Sequence, residues 1–266
     1  MAMMNNPQVV ILCGGQGTRL REETEFRPKP MVEIGGKPML WHIMKIFDHY
    51  GFTDFILCLG YKGEAIKEYF LNYEAMSSDF TIQLGKRDEV IFHRNHLESG
   101  WRVTLADTGQ AAMTGARVKR IEKYLKTDDF LLTYGDGLGD IDIRALLAFH
   151  RRHGQLATVT GVHPGFSRFG ELGLDGDLVV GFAEKPRLTA AIVSGGFFAF
   201  RRGFLQYLSP DDGCVLEREP MEKAAADRQL MLYRHPGFWQ CMDTYRDREL
   251  LESLWREGRP PWKVWA

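Results

Sequence analysis

Apolar residues in this chain follow two patterns, short unbroken runs and longer stretches of helical spacing, and the two alternate. Residues 9–12 (VVIL), 55–59 (FILCL), 130–133 (FLLT) and 157–162 (ATVTGV) are runs of strand length bounded by turn-forming or charged residues. They predict strands covered on both faces. Residues 101–107 also have strand character. Between the runs Leu40, Ile43, Met44 and Phe47 recur at helical spacing, with Pro38 at the first helical position and Gly51 as the stop. Residues 64–73 give a second helix, Val118, Ile121 and Leu125 mark a third, and Ile143, Leu146, Leu147 and His150 a fourth closed by Gly154. This alternation predicts an α/β fold, a doubly wound, mostly parallel (Rossmann-like) sheet with right-handed crossovers.

Two stretches depart from that rhythm. Residues 74–100 break into short charged pieces, predicting strands or a flap at the sheet edge; His93 and His96 within them read as solvated loop histidines. From His163 onward short strands (169–172, 178–184, 194–200) alternate with Gly and Pro, predicting a small additional β-rich region. A helix over 219–227, a strand over 230–233 and a helix over 245–255 follow, and Trp255, Trp262 and Trp265 read as a tail packed on the core or as a subunit contact. At 266 residues the expectation is one domain over 1–266, with halves at about 8–140 and about 141–266.

Composition narrows the possible functions. The chain has 34 basic and 35 acidic residues, for a net charge of −1, so no bulk field favours nucleic acid or an anionic membrane. Cys13, Cys58, Cys214 and Cys241 lack the spacing of a disulfide framework or a zinc site and are expected to be reduced. The first eight residues lack a signal-peptide pattern and no apolar run reaches membrane-spanning length, so the protein is expected to be cytoplasmic.

The candidate chemistry begins where the first apolar run ends. Leu12 is followed by Gly14, Gly15 and Gly17, with Thr18 and Arg19 next, then Arg27 and Lys29. Glycines let backbone N–H groups approach phosphate oxygens, and the basic residues supply charge. A dinucleotide fingerprint fails because Leu20 stands where the third glycine belongs, and no P-loop run occurs. Asp136, between Gly135 and Gly137, lies beyond a predicted strand, where ligands collect in open α/β sheets; a turn residue is the bland alternative.

The run Gly14-Gly15-Gln16-Gly17-Thr18-Arg19-Leu20 with Lys29-Pro30 about ten residues later resembles the sugar-phosphate nucleotidyltransferases. Residues 28–38, 40–45, 133–137, 237–240 and 242–244 extend the resemblance over nearly the whole chain, toward the branch that joins CTP to glucose 1-phosphate. The resemblance implies that Leu12, Gly14, Gly15, Gly17, Thr18, Arg19, Lys29, Thr114, Arg117 and Gly135 bind the nucleotide. It further implies that Gly170, Glu184, Lys185, Ser194 and Gly195 hold the sugar phosphate, and that Asp136 and Asp243 bind Mg²⁺. Arg19, Lys29, Asp136 and Lys185 are then the catalytic set. Singly, the cations read as solvated surface groups and Asp243 as a cap for the helix from Tyr245; their joint occurrence favours the site.

The implied reaction is attack of the sugar phosphate on the α-phosphorus of CTP. It needs alignment and charge neutralisation rather than a nucleophilic side chain. The resemblance also implies a homo-oligomer. Ser194 departs from it, standing where the family usually places Asn, and its shorter side chain bears on the choice of sugar. A nucleotidyltransferase for another sugar 1-phosphate or pyrimidine nucleotide is the nearest rival, and a regulatory module that binds nucleotide sugars without turnover is the reading from another class.

Overall fold

The computed structural model describes residues 6–17, 20–85, 90–93, 96–163, 171–175, 178–183 and 192–266, with only the backbone for 21–22, 171–175 and 178–183. β1 (Gln8–Leu12) runs into the glycine loop, a one-turn helix α1 (Arg21–Thr24) and a short hairpin, β2 (Glu33–Ile34) with β3 (Lys37–Pro38). Then come α2 (Met39–His49), β4 (Asp54–Leu59), α3 (Gly63–Leu71), α4 (Tyr73–Ser77), the hairpin β5 (Phe80–Ile82) with β6 (Val90–Phe92), and β7 (Arg102–Asp107). The middle of the chain forms α5 (Thr114–Arg120), β8 (Asp129–Tyr134), β9 (Gly137–Gly139), α6 (Ile143–His153) and β10 (Ala157–Val162). A hairpin of β11 (Glu171–Asp175) and β12 (Leu178–Ala183) precedes β13 (Val193–Arg201), α7 (Glu219–Ala226), β14 (Leu230–Arg234), β15 (Trp239–Cys241) and α8 (Tyr245–Arg256).

Seven strands form the central sheet in the order β14-β10-β13-β8-β1-β4-β7. β13 alone runs against its neighbours β8 and β10; the other pairings are parallel. The apolar runs are unbroken because both faces are covered. Val9 and Ile11 of β1 pack in one core with α2, α6 and α8, while Val10 and Leu12 pack in the other with residues of α5 and α7. The chain moves outward from β1 through β4 to β7, and then returns to β1's other side as β8. That reversal opens a crevice at the carboxyl ends of β1 and β8.

Local signals place most boundaries. Asp142 caps α6 by accepting the Ala145 N–H at 2.9 Å, and Gly154 ends it at φ 77°. Several expectations shift. Pro38 is the N-cap of α2 rather than its first residue, since it closes the two-residue pairing of β3 with β2. The third helix ends at Arg120, and Ile121 and Leu125 flank a 3-10 turn instead of extending it. The irregular segment after residue 74 forms α4 and a hairpin outside the central sheet. β13, placed by its sequence rhythm among the later short strands, returns to the middle of the main sheet, where Gly195 to Phe200 are buried. Trp262 is fully buried, and with Trp41, Trp255 and Trp265 it surrounds His42. Cys13 and Cys58 are buried and unbridged, and burial pushes the Cys58 thiol up to about 12.

Candidate active site

β1 and β8 deliver the two loops that meet in the crevice. The Gly135 N–H donates to Leu12 O at 3.0 Å, tying the end of β8 to the start of the glycine loop. A Cβ on Gly135 would fall 2.7 Å from Pro30 Cγ and 3.1 Å from Leu12 O, so only glycine fits this approach. Gly17 adopts φ 62° with Thr24 packed against it, which turns the chain into α1. Between the loops lies a cavity of about 280 Å³. Its walls include Leu12, Gly14, Gly15, Gly17, Lys29, Thr114, Arg117, Gly135, Asp136 and Asp243, which come from stretches far apart in sequence.

Lys29 Nζ lies 2.6 Å from Asp136 Oδ2 and 2.7 Å from Asp243 Oδ1. Burial alone would lower the Lys29 pKa, but the two carboxylates outweigh it and raise the value, so this ammonium stays protonated. β9 and β15 bring the carboxylates together: Gly137 pairs with Cys241, and the Met242 N–H donates to Asp136 O at 2.8 Å. Asp243 does not cap α8. Thr244 does, through a capping box with Asp247, which leaves the Asp243 carboxylate directed at Lys29. Two carboxylates converging on one cationic point suit a hard divalent cation whose remaining ligands are phosphate and water oxygens. Among the described residues no group of three or more His, Cys, Asp or Glu gathers to hold a metal.

Arg117 is buried beneath the loop. Its Nη1 donates to Leu59 O, Thr108 Oγ1 and Gly109 O at 2.8–2.9 Å, and its Nη2 donates to Gly14 O at 3.1 Å. The guanidinium thus gives these donors to the scaffold under the loop while the side chain also lines the cavity. Thr114 stands at the first turn of α5, its hydroxyl donating to Glu217 Oε2 at 2.6 Å. Tyr134 donates to the other oxygen of the same carboxylate. Sequence reasoning missed both Tyr134 and Glu217. Nothing local marks Glu217, since its partners lie 83 and 103 positions away.

Ser194 and Gly195 follow Val193 at the start of β13, which runs against β8 and so starts at the edge where β8 ends. The Gly195 carbonyl accepts the Trp239 indole N–H at 2.7 Å, and a Cβ on Gly196 would meet the Tyr134 ring at 2.5 Å. Gly196 thus borders the cavity through Tyr134, while Ser194 and Gly195 do not line it. Thr18, Arg19, Gly170, Glu184 and Lys185 lie outside the described residues.

A glycine loop and paired carboxylates at the switch point of an open α/β sheet define a nucleotide-phosphate-handling class of enzyme. The chain belongs to the Nucleotidyl transferase family, which it matches over residues 8–242. It is 48% identical over 259 residues to the glucose-1-phosphate cytidylyltransferase of Salmonella typhi, covering 97% of this chain and 99% of the relative. A probable glucose-1-phosphate cytidylyltransferase of Bacillus subtilis is 42% identical, covering 97% and 100%. Among solved structures, HddC from Yersinia pseudotuberculosis complexed with GMP-PN superposes with a TM-score of 0.69 at 22% identity, covering 94% of this chain and 99% of that one. That likeness speaks to the fold. No helix among the described residues is long and apolar enough to cross a membrane.

Proposed function

We propose that this protein transfers the cytidylyl group of CTP to α-D-glucose 1-phosphate, forming CDP-glucose and releasing pyrophosphate. One observation carries the reading. The glycine loop, Lys29, Asp136 and Asp243 converge on one cavity in a chain 48% identical, over 97% of its length, to a glucose-1-phosphate cytidylyltransferase.

A phosphate monoester with a second pKa of about 6 is largely dianionic near neutral pH, so its attacking oxygen needs no general base. That oxygen bonds to the α-phosphorus of CTP. The bond from the α-phosphorus to the bridging oxygen breaks, and pyrophosphate leaves with the electron pair. The protein's task is alignment and charge neutralisation. Backbone N–H groups of the loop at Gly14, Gly15 and Gly17, with Thr18 and Arg19, receive the triphosphate. Lys29 supplies a fixed positive charge. Asp136 and Asp243 would hold Mg²⁺, which when bound adds positive charge among the phosphate oxygens. Arg117 holds the loop from beneath, and Thr114 stands on the base side. Lys185, with Gly170, Glu184, Ser194 and Gly195, receives the sugar phosphate.

The reading extends to a homo-oligomer in the cytoplasm. The β5–β6 hairpin stands outside the central sheet with Leu84 89% and Ile91 62% exposed, and an isolated two-stranded hairpin is marginal in water. A second copy would cover that apolar surface.

Pyrophosphate release with Mg²⁺, measured for CTP, UTP, dTTP, ATP and GTP against several sugar 1-phosphates, tests the function. The expected maximum is CTP with glucose 1-phosphate. A maximum at another pair overturns the substrate assignment, and no release despite bound nucleotide overturns the transfer itself.

A further inference from the structure

Glu217 precedes α7 and joins two walls of the cavity. Its Oε2 accepts the Thr114 hydroxyl at 2.6 Å, and its Oε1 accepts the Tyr134 hydroxyl. Thr114 opens α5, Tyr134 closes β8, and both line the cavity. Thr114 Oγ1 also accepts the Leu216 N–H at 2.9 Å.

A threonine hydroxyl has one proton to give and two lone pairs. Thr114 gives its proton to Glu217 and one lone pair to Leu216. A ligand in the cavity then meets a single remaining lone pair. The Tyr134 bond engages the second carboxylate oxygen and so holds Glu217 in the orientation that takes the Thr114 proton. Burial first, and then the Glu217 carboxylate, raise the Tyr134 pKa, so the phenol remains a donor.

We propose that Glu217 is a positioning residue that determines base specificity: by drawing the Thr114 proton away from the cavity, it makes Thr114 an acceptor only, favouring a base edge that donates. The inference rests on the reading of this cavity as a pyrimidine nucleotide site with Thr114 on the base side. Cytosine presents an amino donor at position 4, where thymine and uracil present a carbonyl acceptor. Opposite a fixed acceptor, the amino group gains a hydrogen bond. The carbonyl meets another acceptor, and both are left unpaired.

The test measures kcat/KM for CTP and for UTP with glucose 1-phosphate, together with equilibrium titrations of CMP and UMP. The proteins are wild type, Glu217→Ala, Thr114→Val and Thr114→Ser. Glu217→Ala returns the proton to Thr114, and Thr114→Val removes the acceptor. Each is expected to lower the CTP/UTP ratio about tenfold or more, mainly through KM and monophosphate affinity, while Thr114→Ser keeps the wild-type ratio. A ratio unchanged in Glu217→Ala, with both constants falling together, makes Glu217 a structural strap and overturns the proposal. Should Glu217→Ala fail to fold, equal ratios in Thr114→Val and Thr114→Ser overturn it alone. A wild type that uses CTP but does not discriminate against UTP also overturns it. A wild type that turns over no CTP instead refutes the proposed reaction.

Discussion

Replacing Arg117 by Met separates support of the loop from contact with the nucleotide. Arg117 is 4% exposed, and its guanidinium serves four acceptors. Two of these keep other donors after the change. Leu59 O retains the Thr108 N–H at 3.1 Å and the Thr108 hydroxyl at 2.6 Å, and Gly14 O retains the Tyr61 N–H at 3.2 Å. Gly109 O loses the Arg117 bond, and an orphaned carbonyl costs about 1–3 kcal/mol. Lost charge-assisted bonds add to this, and relief of the buried charge offsets part of it, for a net loss of about 3 kcal/mol. Unfolding entropy of about 2.1 cal/mol/K per residue over 266 residues is about 0.56 kcal/mol/K, so the melting temperature should fall about 5 °C. Thermal unfolding and nucleotide titration are read on the same protein. Gly14→Ala should destabilise similarly, because its Cβ would fall 2.2 Å from the Arg117 guanidinium. A melting temperature within about 1 °C of wild type, with nucleotide binding lost, would show that Arg117 acts on the ligand and refute the scaffold account.

Asp136→Asn should leave the fold intact and reduce turnover at least about a hundredfold, since it removes a ligand charge at the reacting centre; near-wild-type pyrophosphate release in Mg²⁺ would refute the assignment. His42, fully buried, has its pKa lowered from 6.5 to about 4 by burial, partly offset by its bond to the Ile34 carbonyl and by Glu252, with Lys37 opposing. A base whose folded pKa is depressed contributes stability that is complete above 6.5 and lost as pH falls toward about 4, amounting in full to about 3 kcal/mol. Urea midpoints should therefore fall between those pH values, and His42→Gln should flatten the slope relative to its own neutral-pH midpoint; an unchanged slope would remove His42 as a source. Ile91→Lys, on the exposed face of the β5–β6 hairpin, should shift the mass seen by light scattering toward a single chain while the far-UV spectrum is kept, and an unchanged mass would place the subunit contact elsewhere.

The strands, the principal helices and the glycine loop were legible because they depend on residues close in sequence. Val9 to Leu12 are unbroken because both faces of β1 are covered, and Asp142 and Gly154 mark the ends of α6 within one turn of its backbone. The motifs at Lys29, Asp136 and Asp243 could be picked out by resemblance, each on its own stretch of chain. Other features carried no such mark. The charge and short spacing of residues 74–100 do not say whether those strands join the main sheet, and the tight turn made by β2 and β3 displaced Pro38 from the helix it was expected to open.

By itself, then, the sequence determined an α/β fold with a glycine loop after its first strand, and its family, because periodicity, caps and glycine turns act over a few residues. Only the tertiary structure decided what those parts do for one another. The β9–β15 pairing carries Asp243 beside Asp136 across 107 positions and closes both on Lys29. The tertiary packing also turned Arg117 inward under the loop and joined Thr114 and Tyr134 through Glu217. These contacts depend on strand order and on which face of each element is buried. No local pattern encodes them; they follow from the packing of the whole sheet.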